Sequence, residues 1–411
     1  MDFAYARLRR FPDVEAPNLQ AWDATDELLV QRALGSGATG AEIAVIGDAY
    51  GAITLSLVAT GLTGIRVHQD LMTGRRALAR NAAALGLESE NPDELDAARR
   101  AGQRNAGAGA DDPGSPAPFA PCELDASLLS GARLVLLQLP KALAELEEIA
   151  DAVARWAAPD VVLVAGGRVK HMTLAQNEVL GRRFARVQAE RAVRKSRLVV
   201  ASGPLPVPAE PPFPVRQGHR LPFAALTLVA HGGVFAGTRL DIGTRVLLEV
   251  LAEVSSARPR RDGGDRSGRL VVDLGCGTGA LAAAYALAHP DACVIATDRS
   301  AAAAASARET MIANGIADRV TVMHDDAASD LPAAVADVVL LNPPFHLGSS
   351  IHTGAAVRLF EAAARLLRTG GELWTVYNSA LAYRAELGRL VGPTEQLRRT
   401  SKFTVTRSIR R

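Results

Sequence analysis

Cysteine is rare in this sequence, and no hydrophobic run is long enough to cross a membrane. The three cysteines among 411 residues, Cys122, Cys276 and Cys293, lack the spacing of a disulfide framework, a zinc site or a CxxC redox motif. The longest apolar runs, such as 134–139 and 161–165, are much shorter than the ~20 residues of a membrane helix. The N-terminus lacks the pattern of a signal peptide. We therefore expect a cytoplasmic protein that spans no membrane and binds no metal.

A large net charge is also missing, since 46 basic residues oppose 44 acidic ones and leave a net charge of +2. The overall electrostatic field therefore does not indicate a nucleic-acid partner, and any such binding must come from local basic patches. The chain is too long for one domain with a single hydrophobic core, and its length suits two domains.

Two stretches lack the apolar residues that a folded core requires. Residues 88–118 are rich in Gly, Ala, Asp, Asn and Pro, which predicts a disordered insertion. Residues 204–217 contain six prolines, which favour an extended linker over a helix or a strand. The sequence therefore predicts one domain at 1–203 and a second at 218–411.

The second domain alternates apolar strand-like segments with alanine-rich helical segments. Such alternation predicts a parallel β-sheet that is covered by helices on both faces. A fainter copy of the same pattern fills the first domain, which indicates an internal duplication. We therefore expect an α/β protein made of two tandem Rossmann-like domains. The predicted strands are 42–46, 64–69, 133–137 and 161–164 in the first copy and 270–274, 293–297, 319–323, 337–341 and 371–377 in the second.

A glycine-rich loop follows the first strand of the second copy. It runs from Asp273 through Gly275, Gly277 and Gly279, and such glycines allow a tight turn and a close approach of the backbone to a ligand. Asp298 ends the next strand, where a carboxylate suits two ribose hydroxyls. The GxGxG spacing and the leading acid suit the cationic amino group of S-adenosylmethionine better than the pyrophosphate of NAD. The alternative is a tight strand-to-helix turn without a ligand.

The tetrapeptide Asn342-Pro343-Pro344-Phe345 follows another apolar strand and is therefore expected at the same edge of the sheet. The Asn342 side-chain oxygen and the Pro343 carbonyl can both accept hydrogen bonds from one planar NH2 group, on a backbone that the prolines stiffen. Phe345 can stack on the ring that carries this amine, so that the nitrogen points at a sulfonium methyl. The motif predicts methyl transfer to a planar amine without a required general base, although His346 is a candidate helper.

These motifs resemble the class I methyltransferases of the Asn/Asp-Pro-Pro-aromatic group. Over nearly the whole chain the sequence is similar to the RsmC/RlmG family of ribosomal RNA guanine-N2 methyltransferases. The resemblance implies S-adenosylmethionine as the cofactor and the N2 amine of a guanine as the acceptor. It also implies cofactor contacts at Phe235 and Thr244 and a contact near the adenine at Asp326, for which Asp325 is an alternative.

The choice between 23S and 16S rRNA rests on two N-terminal segments, 19–27 and 47–52. Both segments are closer to the large-subunit members of that family. The resemblance therefore favours 23S rRNA, with 16S rRNA as the alternative. Adenine N6 and the amide of a protein glutamine present the same planar NH2 group and stay open as acceptors. A non-catalytic rRNA-binding assembly factor is the alternative outside enzymes.

The first copy has lost the residues that carry this chemistry. Val45 and Ala49 stand where the second copy has its leading acid and its middle glycine, and residues 137–140 replace the Asn-Pro-Pro loop. Asp70 still matches the acid that ends the next strand of the second copy, which we interpret as a relic. We therefore expect a degenerate first domain that positions RNA and does not catalyse.

Basic residues cluster before the proline-rich segment, on what the pattern predicts to be a helix running into a strand. Arginine makes forked contacts with phosphates, so this cluster is a candidate RNA surface, although a charged helical face also serves solubility alone. We expect a monomer whose partner is ribosomal RNA. The candidate RNA-binding residues are Arg182, Arg183, Arg186, Arg194 and Lys195.

Overall fold

The fold is described by a computed structural model that covers residues 3–87, 117–257, 268–344 and 350–411. The insertion predicted at 88–118 lies outside these residues, apart from its last two positions. Among the described helices, none combines the length and the apolar character that a membrane span requires.

Two compact units make up the chain, and the division falls after Pro212. The bounds of the linker predicted at 204–217 need a correction, because strand pairing enters this segment from both sides. Pro204 still belongs to one strand and Val215 already belongs to the next. Within the predicted linker, residues 205–214 lie outside strands.

In the described part of the first unit, Met1–Pro212, seven strands form one mixed sheet. In chain order they are β1 (Ile43–Ile46), β2 (Ile65–His68), β3 (Phe119–Pro121), β4 (Leu134–Gln138), β5 (Val162–Arg168), β6 (Phe184–Ala189) and β7 (Ser196–Pro204). The order across the sheet is β3-β2-β1-β4-β5-β7-β6. The strands from β3 to β5 are parallel neighbours, and β7 runs antiparallel to both β5 and β6.

Helices cover both faces of this first sheet. They are α1 (Ala24–Leu34), α2 (Ala52–Val58), α3 (Met72–Leu85), α4 (Ala126–Leu129), α5 (Leu143–Trp156) and α6 (Leu174–Gly181). Successive side chains of a strand point to opposite faces, so Ile43 and Val45 pack into the core with α1 to α3. Ala44 and Ile46 pack into the core with α4 to α6. A strand buried on both faces explains the continuous apolar run of β1.

The second unit, Phe213–Arg411, repeats this sheet and adds a two-stranded hairpin. Its strands are β8 (Val215–Arg220), β9 (Ala225–Ala230), β10 (Leu270–Leu274), β11 (Cys293–Asp298), β12 (Val320–His324), β13 (Ala336–Leu341), β14 (Leu367–Asn378), β15 (Thr394–Arg399) and β16 (Phe403–Ile409). The main sheet has the order β12-β11-β10-β13-β14-β16-β15, while β8 pairs with β9. This order matches that of the first sheet strand by strand.

The helices of the second unit also lie on two faces. They are α7 (Ile242–Ala257), α8 (Ala280–Ala288), α9 (Ala301–Ala313), α10 (Ser350–Leu366) and α11 (Arg384–Leu390). One core forms between the sheet and α7 to α9, and the other forms between the sheet and α10 to α11. Two units with the same strand order confirm the predicted tandem α/β fold.

Candidate active site

The carboxyl ends of three neighbouring strands bring the predicted site residues of the second unit together. Strands β11, β10 and β13 are adjacent and parallel, and ligands of doubly wound sheets bind at this edge. Leu274 pairs in register with Leu341, so Gly275 and Asn342 leave adjacent strands at the same level. Asp298 ends β11 on the other side of the glycine loop. The loop, the acid and the Asn-Pro-Pro segment therefore share one edge.

The glycine loop adopts a backbone that other residues would strain. Gly275, Gly277 and Gly279 have φ angles of 77°, 54° and 77°, in the left-handed region that favours glycine. A Cβ on Gly279 would lie 2.6 Å from Cε of Met311, so this glycine also permits close packing of α9 against the loop. A Cβ on Gly275 or Gly277 would meet no described atom within 4 Å. Open space beside these two glycines fits a ligand that approaches the backbone closely.

Asp273 is buried at the start of this loop and is 1% exposed. Its Oδ2 accepts a hydrogen bond from the backbone N–H of Ala282 at 2.9 Å, which holds α8 against the loop. Its Oδ1 is buried and has no partner among the described residues. Burial, together with the nearby charge of Asp298, raises the pKa of Asp273 to about 7. The unpartnered oxygen is the acceptor that a cationic amino group would satisfy.

Asp298 connects the glycine loop to strand β11. Its Oδ2 accepts from the backbone N–H of Gly277 at 2.9 Å, and its Oδ1 accepts from the N–H of Ser300 at 2.9 Å. These bonds orient the carboxylate at the end of the strand, and they also hold the middle of the loop. The predicted contact of Asp298 with ribose hydroxyls stays a prediction.

Asn342 has a side-chain amide that is bonded on one side only. Its Nδ2 donates to Oγ1 of Thr244 at 2.9 Å and to Oδ2 of Asp241 at 3.2 Å. Its Oδ1 is buried and has no hydrogen-bond partner among the described residues. Pro343 is buried and Pro344 is exposed, while Phe345 and its predicted stacking role lie outside the described residues, as does His346. The amide therefore offers an acceptor and no donor.

The residues at the start of α7 supply the partners of Asn342. Asp241 immediately precedes the helix, and its Oδ2 accepts from the N–H of Gly243 at 2.9 Å and from that of Thr244 at 3.3 Å. Thr244, predicted as a cofactor contact, is 7% exposed and directs its hydroxyl to Asn342. Phe235, the other predicted contact in this region, is 67% exposed. Asp241 was not predicted as a site residue from the sequence, although an Asp directly before a helix is a recognised capping signal.

The two neighbouring acids after β12 have different surroundings. Asp325 accepts from Oγ of Ser329 at 2.7 Å and from the N–H of Asp330 at 2.9 Å, so it stabilises the turn. Asp326 is 4% exposed and forms an ion pair with Arg358 of α10. The ion pair orients Asp326, the residue for which the adenine contact was predicted.

The first copy closes the space that the second copy leaves open. A Cβ on Gly47, the counterpart of Gly275, would lie 3.3 Å from the carbonyl oxygen of Gln138. Tyr50 follows in this loop and donates from its hydroxyl to Oδ2 of Asp13 at 2.7 Å. The loop of the first copy is thus engaged in contacts within its own unit.

A buried carboxylate still caps the helix after the loop in the first copy, but it comes from another position. Asp48 Oδ2 accepts from the N–H of Thr54 at 2.8 Å, as Asp273 accepts from Ala282. Val45, the counterpart of Asp273, cannot make this bond. Burial raises the pKa of Asp48. The helix cap has been retained, whereas the acid at the start of the loop has been lost.

The predicted basic cluster begins after helix α6 and continues onto a β-hairpin, so none of its five residues lies on the expected helix. Helix α6 ends at Gly181, and Arg182 and Arg183 lie in the turn that follows it. Arg186 lies on β6, and Arg194 and Lys195 lie in the turn between β6 and β7. Burial of Phe184 draws this segment onto the sheet. Three of the five residues pair with acids of their own unit: Arg182 with Glu147 at 2.9 Å, Arg183 with Asp151 at 2.8 Å and Arg194 with Glu27 at 2.7 Å. Arg186 and Lys195 are exposed.

The second unit has the features of an S-adenosylmethionine-dependent methyltransferase of class I: a doubly wound sheet, a glycine loop with its acid, and an Asn-Pro-Pro segment at the same edge. The family described as "Methyltransferase small domain" matches residues 225–407. The family described as "RLMG N-terminal domain" matches residues 1–108 and 98–204.

Relatives that match nearly the whole chain identify the family to which it belongs. A ribosomal RNA large subunit methyltransferase G of Streptomyces avermitilis is 34% identical, over 99% of this chain and 97% of its own. The protein of the same name from Ectopseudomonas mendocina is 35% identical, over 99% of this chain and 98% of its own. The chain belongs to the ribosomal RNA large subunit methyltransferase G family, which confirms the predicted resemblance.

The fold is also similar to that of a solved structure. The Thermus thermophilus 16S rRNA N2 G1207 methyltransferase RsmC, in complex with AdoMet and guanosine, has a TM-score of 0.71 and 20% identity. The similarity covers 99% of both chains. It supports the tandem arrangement of two methyltransferase-like units.

Proposed function

We propose that this enzyme transfers a methyl group from S-adenosylmethionine to the exocyclic N2 of a guanine in 23S ribosomal RNA. The observation that carries the proposal is the buried Oδ1 of Asn342, which lacks a partner among the described residues and lies beside the glycine loop. A buried acceptor without a partner is unfavourable unless a ligand supplies the donor. The N2 amine of guanine is such a donor, and the name shared by the relatives points to large-subunit RNA.

The cofactor, when bound, supplies a sulfonium methyl group as the electrophile. Asp273, Asp298 and the glycines of the loop are the residues that would hold it. Asn342 Oδ1 and the carbonyl of Pro343 accept the two N–H groups of the amine, which turns the nitrogen lone pair out of conjugation with the base. The same two oxygens stabilise the positive charge that develops on the nitrogen. The proton then leaves to water, so the chain needs no general base.

We assign the first unit to RNA positioning. A Cβ on Gly47 of its glycine loop would already contact Gln138. Its exposed Arg186 and Lys195 lie on the β6–β7 hairpin, where phosphates can reach them. A base within a helix must be unstacked before it reaches Asn342, at a cost of a few kcal/mol. RNA contacts of the first unit would offset this cost.

Methylation of rRNA from a strain that lacks the gene tests the proposal. The enzyme is incubated with tritiated S-adenosylmethionine, and the labelled nucleosides of 23S and 16S rRNA are separated. We expect N2-methylguanosine in 23S rRNA and no label with Asn342→Ala. Labelled methyladenosine would contradict the guanine assignment, and label confined to 16S rRNA would contradict the choice of subunit. Intact labelling by Asn342→Ala would contradict the role of Asn342.

A further inference from the structure

The orientation of the Asn342 amide decides what this site can bind. With Nδ2 held by Asp241 and Thr244, the outward atom is Oδ1, a hydrogen-bond acceptor. The opposite orientation would present an NH2 group and would favour a carbonyl oxygen of a base over an amine. A neighbouring side chain must therefore exclude that orientation of the amide.

Thr244 cannot exclude it alone, because a hydroxyl donates as readily as it accepts. An ionised carboxylate only accepts, so turning the amide over would place Asn342 Oδ1 against the oxygen of Asp241. Asp241 is itself held by the N–H groups of Gly243 and Thr244 at the start of α7, where the helix dipole favours a negative charge. The carboxylate is thus unable to turn away.

We propose that Asp241 is a positioning residue that holds the Asn342 amide with its oxygen outward and so selects planar amines over carbonyl groups as methyl acceptors. The proposal rests on the proposed function, because it gives the acceptor specificity of the same site. Thr244 supports Asp241 by accepting the second N–H of the amide.

The first copy contains a similar contact between strand and helix. Gln138 occupies the position of Asn342, since Leu137 pairs with Ile46 as Leu341 pairs with Leu274. Its Nε2 donates to Asp26, the third residue of α1. Asp26 corresponds to Thr244, the third residue of α7. An experiment must therefore distinguish a purely structural role of Asp241 from a positioning role.

The matching acids before α1 and α7 provide a control. Asp23 caps α1 as Asp241 precedes α7, and its Oδ1 accepts from the N–H of Thr25 at 2.6 Å. Asn caps helices as well as Asp does, so Asp241→Asn and Asp23→Asn should both fold. In the full-length enzyme with protein-free 23S rRNA, we expect Asp241→Asn to lower kcat about 10- to 100-fold. Asp23→Asn should keep kcat, and both variants should bind S-adenosylmethionine as wild type does.

A reversal of polarity distinguishes positioning from stability. Asn342→Asp alone places two carboxylates together and should be as impaired as Asp241→Asn. In the double variant, the amide at 241 can donate to the carboxylate at 342, whose second oxygen still accepts from the amine. We expect the double variant to exceed either single variant in kcat by about tenfold, the coupling typical of residues in contact. If the contact between residues 241 and 342 is purely structural, the double variant should recover the melting temperature and not kcat.

Each outcome bears on one hypothesis. Wild-type kcat in Asp241→Asn, or a double variant no better than the poorer single variant, would overturn the role of Asp241. If Asn342→Ala stays fully active or the label is not on guanine N2, the proposed function itself fails. If Asn342→Ala is inactive and the product is N2-methylguanosine while Asp241→Asn is unaffected, only the positioning inference fails.

Discussion

At the scale of single residues, the site of the second unit contains polar side chains that are bonded to the protein on one side. Asp273 accepts a hydrogen bond from the N–H of Ala282, and Asn342 donates hydrogen bonds to Asp241 and Thr244. The remaining oxygens, Oδ1 of Asp273 and Oδ1 of Asn342, are buried without a partner among the described residues. Buried acceptors of this kind destabilise the free protein and favour a ligand that supplies donors.

Removal of the Asp298 carboxylate should weaken cofactor binding. Asp298→Ala loses the acceptors of the N–H groups of Gly277 and Ser300. Hydrogen bonds to charged groups contribute roughly 1.5–3 kcal/mol, so we expect the Kd for S-adenosylmethionine to rise at least about tenfold in calorimetry. Asp70→Ala, at the matching position of the first copy, is the control and should leave the Kd unchanged. Equal effects of the two substitutions would contradict the assignment of the cofactor to the second unit.

The stability of the protein should decrease as Asp273 ionises. Burial raises the pKa of Asp273 from its ordinary value of 3.8 to about 7, so between these values the folded state holds a proton that the unfolded state releases. The free energy of unfolding therefore falls as the pH rises from about 4 to about 7, by on the order of 4 kcal/mol in total. Asp273→Asn keeps an acceptor for Ala282 and should remove this part of the decline. Denaturant unfolding at several pH values measures it, and parallel curves for variant and wild type would contradict the prediction.

At the scale of elements, the β6–β7 hairpin shows why a cluster of basic residues is not a uniform surface. Arg183 forms an ion pair with Asp151, a carboxylate that is 2% exposed and also pairs with Arg155. Such a residue stabilises the packing of the hairpin against α5. Arg186 and Lys195 are exposed on the same hairpin and are available to phosphates.

Substitutions on this hairpin should therefore separate RNA binding from stability. The double variant Arg186→Ala/Lys195→Ala should weaken rRNA binding and reduce the dependence of log K on log salt by roughly one for each lost phosphate contact. Its melting temperature should match that of wild type. Arg183→Ala should instead lower the melting temperature, because it removes a partner of a buried carboxylate. Unchanged RNA affinity of the double variant at low salt would place the RNA surface elsewhere.

At the scale of the whole molecule, one fold has been used twice with different outcomes. Both sheets have the same strand order, and both keep a buried carboxylate that caps the helix after the loop. The space beside the loop is open at Gly275 and closed at Gly47. We infer a division of labour in which the second unit transfers the methyl group and the first unit holds the RNA.

The division of labour predicts how a truncated chain would behave. Residues 213–411 form a compact unit with its own cores, so this fragment should bind S-adenosylmethionine with nearly the Kd of the full chain. Its rate of methyl transfer to 23S rRNA should be at least about tenfold lower, because the RNA contacts of the first unit are lost. Tritium transfer and calorimetry measure the two properties. A fragment that methylates rRNA at the rate of the full chain would contradict a positioning role for the first unit.

Local patterns were sufficient to predict the fold and the edge of the sheet that carries the site. Apolar strands followed by Gly275 or by Asn342 indicate both the parallel sheet and its carboxyl edge, because these signals depend on adjacent residues in the chain. The bounds of the linker and the hairpin around Arg186 were predicted less well. Antiparallel strands of this kind are specified by their pairing partners more than by their own sequence.

The sequence alone predicted the chemistry that we propose for the second unit, since Asp273, Asp298 and Asn342 are identified by motif and spacing. Only the tertiary structure decided how these groups are oriented. Asp241 and Asn342 are 101 residues apart in the chain. They meet because the first turn of α7 lies beside the carboxyl end of β13 in the folded unit. Hydrogen bonds between such distant residues depend on packing and leave no local pattern. The direction of the Asn342 oxygen, on which we propose the class of acceptor to depend, is therefore a property of the folded unit.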